Sequence, residues 1–158
     1  MADLCTRIKK DVRFELKGMA DATKKDNLER GARFCKVRGE PLFSVSKCTG
    51  EECKVEITGN CPPNALYDID IHTHPYGDPL SYVDITTSAN ADDDEMCLIR
   101  DSTLECVSNI QELRRSKKAK QYNGFLDELP KDEFWVDHYP RFKKLLLDLD
   151  LKICETEL

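Results

Sequence analysis

His72-Thr73-His74-Pro75 and Ser81-Tyr82-Val83-Asp84 hold the residues of this chain best suited to chemistry. Side chains two positions apart on an extended segment point the same way, so His72 and His74 share a face. Asp84, ten residues beyond His74, can turn back to meet them. Two imidazoles and a carboxylate offer three ligands to one divalent ion and leave a fourth place for water. That is the donor set of catalytic zinc, whereas structural zinc sites are closed by four protein ligands and are usually rich in cysteine.

The flanking sequence supplies elements that could place these groups. Leu66 to His72 alternates, and with Tyr67, Ile69 and Ile71 facing a core, the strand delivers His72 and His74 to the opposite face. Ser81 is suited to cap a helix running to about Asn90, with Asp84 in its first turn. Upstream, Leu4, Ile8, Val12, Leu16 and Met19 or Ala20 recur at helical spacing over residues 3 to 22, and Ala32 to Val37 alternates as a half-buried strand. Leu42 to Ser46 and Cys53 to Ile57 read as two further strands, joined by a hairpin turn at Thr49-Gly50-Glu51. Met96 to Ile99 and Leu104 to Val107 form a strand pair across Asp101-Ser102, and Tyr139 to Ile153 suits a C-terminal helix. The fold class expected is α/β (α+β), a mixed, mostly antiparallel sheet flanked by helices.

At 158 residues and 18.1 kDa, one domain over residues 1–158 is expected. A net charge of −6 and a pI near 5.2 disfavour a surface built for nucleic acid, which needs a basic face. The run Arg114-Arg115-Ser116-Lys117-Lys118-Ala119-Lys120 is the one place where phosphate or an acidic partner could be met, a solvated helix being the commoner fate of such a run. Neither a secretory segment nor a membrane span is read from the sequence, so the expectation is a soluble, intracellular, cytoplasmic protein.

Eight cysteines sit awkwardly with a reducing cytosol, and hyperthermophiles are the known exception. Two glutamines among many charges fit such a habitat. Disulfides such as Cys97 to Cys106 or Cys48 to Cys53, plain buried thiols, or a zinc site at Cys48, Cys53 and Cys61 are the alternatives. The last has neither a tight Cys-x₂-Cys pair nor a nearby histidine.

The two motifs together resemble the signature of the JAMM/MPN (JAB-type) zinc metalloproteases: an upstream Glu, then His-(Ser/Thr)-His-Pro, a short loop and Ser-x-x-Asp. Here these are Ile71-His72-Thr73-His74-Pro75 and Ser81-Tyr82-Val83-Asp84-Ile85, and the loop between them is slightly shorter than is usual in the family. The resemblance covers about residues 5–110 and leaves 111–158 as a C-terminal extension. It implies a layer architecture like that of the cytidine deaminases and one Zn²⁺ per chain, held by His72, His74 and Asp84. It further implies a metal-activated water, a base that passes its proton to the leaving amine, and an oxyanion stabilised by Ser81. In Leu28-Glu29-Arg30-Gly31, Glu29 has the look of the family's base, with Glu40 of Arg38-Gly39-Glu40-Pro41 as the second candidate. The substrate implied is a protein, commonly an isopeptide to the C-terminus of ubiquitin or a ubiquitin-like protein.

Other classes compete. Asp70-Ile71-His72-Thr73-His74 is similar to the opening of PHP-type metallophosphoesterases, whose clustered metals need more histidines than this chain has; beyond the pair there is only His138, expected in a loop. A non-catalytic MPN-like scaffold would bind partners through its sheet and C-terminal helix. A DNA-repair-associated JAMM-like hydrolase is suggested by Pro75-Tyr76-Gly77-Asp78-Pro79.

Overall fold

The computed structural model describes residues 3–54, 60–129 and 135–158. Six strands, β1 (Arg30–Val37), β2 (Phe43–Thr49), β3 (Ala65–His74), β4 (Glu95–Arg100), β5 (Thr103–Ser108) and β6 (Lys152–Glu157), make one sheet in the order β2-β1-β3-β4-β5-β6. β1 pairs antiparallel with β2 and β3, β3 pairs parallel with β4, and the two-residue turn at Asp101-Ser102 makes β4 and β5 a hairpin. With four α-helices among the described residues, this is the mixed, mostly antiparallel α+β class expected from the sequence.

The chain groups into two compact units. The first comprises Met1–Asp78, Cys97–Cys106 and Cys154–Leu158. Its helix α1 (Leu4–Asp26) starts at Asp3, whose carboxylate accepts the Thr6 N–H at 2.8 Å, and stops at Asn27 in the left-handed region, whose N–H closes on Thr23 O at 2.7 Å. Leu4, Ile8, Val12, Leu16 and Ala20 pack against Ala32, Phe34, Ile69, Ile71, Ile99 and Leu104 in one apolar core. Burying side chains of this size contributes on the order of 2 kcal/mol each, enough to fix the facing of every strand that takes part.

The second unit comprises Pro79–Met96 and Val107–Ile153. It holds α2 (Tyr82–Asn90), α3 (Ser116–Asp127) and α4 (Trp135–Asp148), with Leu80, Ile85, Ile110, Tyr122, Phe142 and Leu146 buried. Here the structure corrects the C-terminal reading: the helix ends at Asp148, and the last residues form β6. Asp150 takes a left-handed φ of 69°, Leu151 N–H bonds Leu146 O at 3.0 Å and Asp150 N–H bonds Leu147 O at 3.1 Å. This pairing of bonds is the usual helix stop built on glycine, here carried by an aspartate. His138 is no loop residue either: it is buried in α4, its Nδ1 2.8 Å from an Arg141 nitrogen.

Two readings near the first unit change. Gly50–Lys54 forms a 3-10 turn rather than opening a strand at Cys53, and residues 55–57 of that expected strand lie outside the described residues. The cysteines stand as four pairs at bonding distance, Cys5–Cys154, Cys35–Cys61, Cys48–Cys53 and Cys97–Cys106. The suggested zinc trio is thereby divided, Cys61 being joined to Cys35 and the other two to each other. Disulfides persist in oxidising compartments and in the intracellular proteins of hyperthermophiles. No described helix is long and apolar enough to cross a membrane.

Candidate metal centre

The histidine pair is placed by the alternation of β3. Ile69, Ile71 and Thr73 are buried on the core face, while Asp70, His72 and His74 are half-buried on the other. A one-residue slip of this strand would bury both imidazoles and expose two isoleucines, so core packing holds the histidines where they are. Their Nε2 atoms stand 3.0 Å apart with ring centroids at 4.9 Å. Zn–N bonds of about 2.0–2.1 Å in a tetrahedral shell put two nitrogens roughly 3.3 Å apart, so the pair fits a single zinc ion with little adjustment.

The backbone also settles which nitrogen of His74 can act as a ligand. Its Nδ1 lies 2.7 Å from the carbonyl oxygen of Asp78. A carbonyl only accepts, so the proton sits on Nδ1 and the lone pair on Nε2. Metal-binding histidines are commonly oriented in this way through the opposite ring nitrogen. The carbonyl is delivered by the tight turn Pro75–Gly77, in which Tyr76 (φ 63°) and Gly77 (φ 68°) are both left-handed. The left-handed φ favours glycine at position 77; a Cβ there would lie 2.8 Å from an oxygen of the exposed Asp101 carboxylate, which would have to swing aside.

Between the histidines, Thr73 points into the core and anchors what lies behind. Its hydroxyl accepts the Arg30 N–H at 2.8 Å and lies 2.7 Å from that of Thr23, which donates to Leu28 O at 2.9 Å. These bonds tie the end of α1 and the start of β1 to the strand that carries the histidines. A cavity of about 250 Å³ opens beside His74, lined by Thr23, Lys24, Asn27, Tyr76 and Asp101 among others.

Register separates the two glutamates. Gly31 pairs with His72, so extending β1 backward by two residues sets half-buried Glu29 level with His74 on the histidine face. The Glu29 carbonyl is held by the Gly50 N–H at 2.7 Å. Glu40 lies in the turn beyond Val37, and the six residues from Gly31 to Val37 alone span about 20 Å. Asp70, which opens the segment shared with the phosphoesterases, is taken by Arg33 through two bonds of 2.9 and 3.2 Å.

Ser81 and Asp84 are joined in the second unit. Ser81 is the N-cap of α2: its hydroxyl accepts the Asp84 N–H at 3.3 Å, and one oxygen of the Asp84 carboxylate accepts both the backbone N–H and the hydroxyl of Ser81 at 3.0 Å. This reciprocal capping box fixes the Asp84 rotamer. The basic run is largely neutralised within the same unit: Arg114 pairs with Asp92, Arg115 with Glu112, and Lys118 with Glu112 and Asp150. Lys118 holds the carboxyls of Glu112 and Asp150 below their usual range through direct hydrogen bonds.

No protein-family model, no curated protein and no solved structure matches the chain.

Proposed function

We propose that the chain is a zinc-dependent metallopeptidase of JAMM type that hydrolyses peptide or isopeptide bonds, with His72, His74 and Asp84 as the zinc ligands. The observation that carries this reading is the approach of His72 Nε2 and His74 Nε2 to 3.0 Å while His74 Nδ1 is committed to a backbone carbonyl. The motif Ser81-x-x-Asp84 supplies the third ligand in the reading, and the capping box holds its carboxylate in one rotamer. Zinc held there would act as a Lewis acid and bring the pKa of a coordinated water toward roughly 7.

The chain's own groups do the rest. Glu29 receives the proton of the attacking water and returns it to the leaving amine. Ser81 has one hydroxyl proton, given to Asp84 in the resting protein, so it orients that carboxylate first. Turning the same proton toward the developing oxyanion is its second task. The substrate class is a protein with an exposed C-terminal tail, linked by an isopeptide as in ubiquitin-like conjugates.

The test is cleavage by zinc-loaded protein of isopeptide-linked ubiquitin-like substrates and of unfolded peptides. Cleavage that is lost on chelation and restored by zinc is expected. Uncut panels from protein that holds one zinc per chain would leave a metal-binding scaffold as the better reading.

A further inference from the structure

A second concentration of metal-ligating groups lies in the core of the first unit, away from the histidines in composition and in ligands. The neighbouring strands β4, β5 and β6 each carry one cysteine, Cys97, Cys106 and Cys154, and the first turn of α1 adds Cys5. Two crosslinks join them as Cys97–Cys106 and Cys5–Cys154. The two crosslinks lie against each other: besides the bonded pair Cys5–Cys154, the Cys106 sulfur stands within 4.8 Å of both its sulfurs. Cys5, Cys97 and Cys106 are fully buried, and Cys154 is partly so.

The surroundings are mostly apolar and place the Leu104 carbonyl 4.0 Å from the Cys5 sulfur, so a charged sulfur here depends on the few groups that offset its burial. The backbone N–H of Cys5 points at Cys154 Sγ from 3.2 Å. Cys5 also sits in the first turn of a 23-residue helix, where the aligned peptide dipoles stabilise a thiolate. Buried thiolates without a counter-ion are prohibitively costly, and a soft divalent cation is the partner that four of them accept.

We propose that, when both bridges are reduced, Cys5, Cys97, Cys106 and Cys154 close around one zinc ion, so that this part of the core is either doubly bridged or zinc-bound. Zn–S bonds of about 2.3 Å place tetrahedral sulfurs roughly 3.8 Å apart, about 1 Å inside the present limit for the Cys106 sulfur and the other two. Once their bonds break, the bridged partners have to part to that spacing, and Cys97, which lies outside the present group on β4, has to move inward to complete the set. The balance is closed: each bridge takes two electrons from a dithiol reductant, which leaves as its own disulfide. The four thiols formed give up their protons as the ion binds. A closed four-cysteine shell has no open place for substrate, so the role is structural and shares no ligand with the proposed catalytic centre.

The test begins with protein reduced anaerobically and titrated with Co²⁺. Thiolate-to-cobalt charge-transfer absorption is expected in the wild type and in Cys48→Ser/Cys61→Ser, and in the double variant His72→Ala/His74→Ala, which lacks the histidine ligands, it should saturate at one equivalent. The same absorption should vanish in Cys5→Ser/Cys106→Ser. Its absence from the reduced wild type, or its survival in that last variant, overturns the proposal. Because a substituted core can fail to fold, the wild type alone provides a second measurement: the reduction midpoint of the two bridges, read by alkylation and mass spectrometry of the Cys5 and Cys97 peptides. With four electrons per ion, that midpoint should rise by about 15 mV for each tenfold rise in free zinc. A midpoint indifferent to zinc overturns the proposal. An equal shift at Cys35–Cys61 and Cys48–Cys53, which marks unspecific capture, overturns it too.

Discussion

Gly77→Ala tests how the histidine strand is finished, because the substitution replaces no proposed ligand and acts through one backbone carbonyl. Gly77 has φ 68°, and an added Cβ would meet the Asp101 carboxylate at 2.8 and 2.9 Å, well inside van der Waals contact. Holding alanine in the left-handed region costs about 1–2 kcal/mol before the clash is counted. The exposed Asp101 carboxylate can swing aside, whereas the backbone strain is relieved by moving the turn, and that movement withdraws the Asp78 carbonyl that stands 2.7 Å from His74 Nδ1. Losing such an outer partner of a ligating histidine typically weakens a metal site by about 10–100-fold. The assay is competition for zinc against a chelator of known affinity, with stability followed by denaturant unfolding. A loss of affinity in that range is expected, with partial recovery in Gly77→Ala/Asp101→Ala, where the clash is removed and only the conformational strain is left. Wild-type affinity in Gly77→Ala would refute the claim that the Asp78 carbonyl orients the ligand.

Glu29→Gln should abolish cleavage while leaving bound zinc at one per chain, as atomic absorption would report; Glu40→Gln should change neither. Ser81→Ala removes the cap of α2 and should cost about 1 kcal/mol in urea unfolding, with Ser81→Thr recovering most of it. Burial pushes the Tyr122 phenol up to about 12, opposed by its bond to Thr86 and aided by the nearby Asp84 charge. A pKa raised on folding gives stability that is complete below about pH 10, the unfolded value, and is lost as pH climbs toward 12. The loss attributable to Tyr122 is on the order of 2 kcal/mol, and unfolding curves of the wild type and Tyr122→Phe, compared across that window, should converge by this amount.

The parts of the fold that could be read in advance are those with local causes. Alternation in β3 placed the histidines opposite Ile69 and Ile71, and the Ser81 cap set the start of α2 with Asp84 in its first turn; the reciprocal bond between them is added by the structure. Cys48–Cys53 and Cys97–Cys106 were legible as pairs because a turn and a hairpin bring them together within 5 and 9 residues. Cys5–Cys154, 149 residues apart, leaves no such trace. The end of α4 was misread because Leu149 continues the helical spacing and the left-handed stop falls on Asp150, where glycine would have announced it. Helix α3 buries only Tyr122, so it offers almost no apolar period to find. The Asp78 carbonyl was invisible for another reason: every residue has one, and only the turn geometry at Tyr76 and Gly77 shows where it points. The same holds for Thr73, whose place between the histidines is plain in the sequence while its bonds to Arg30 and Thr23 depend on tertiary packing.

The central claim is that His72, His74 and Asp84 hold one zinc ion, and its most direct test is anomalous diffraction at the zinc edge from crystals of zinc-loaded protein. The account predicts one strong peak bonded to the Nε2 atoms of both histidines and to an Asp84 oxygen, lost in His72→Ala and Asp84→Ala crystals. A peak bound elsewhere, or zinc on the histidines with Asp84 turned away, would contradict it.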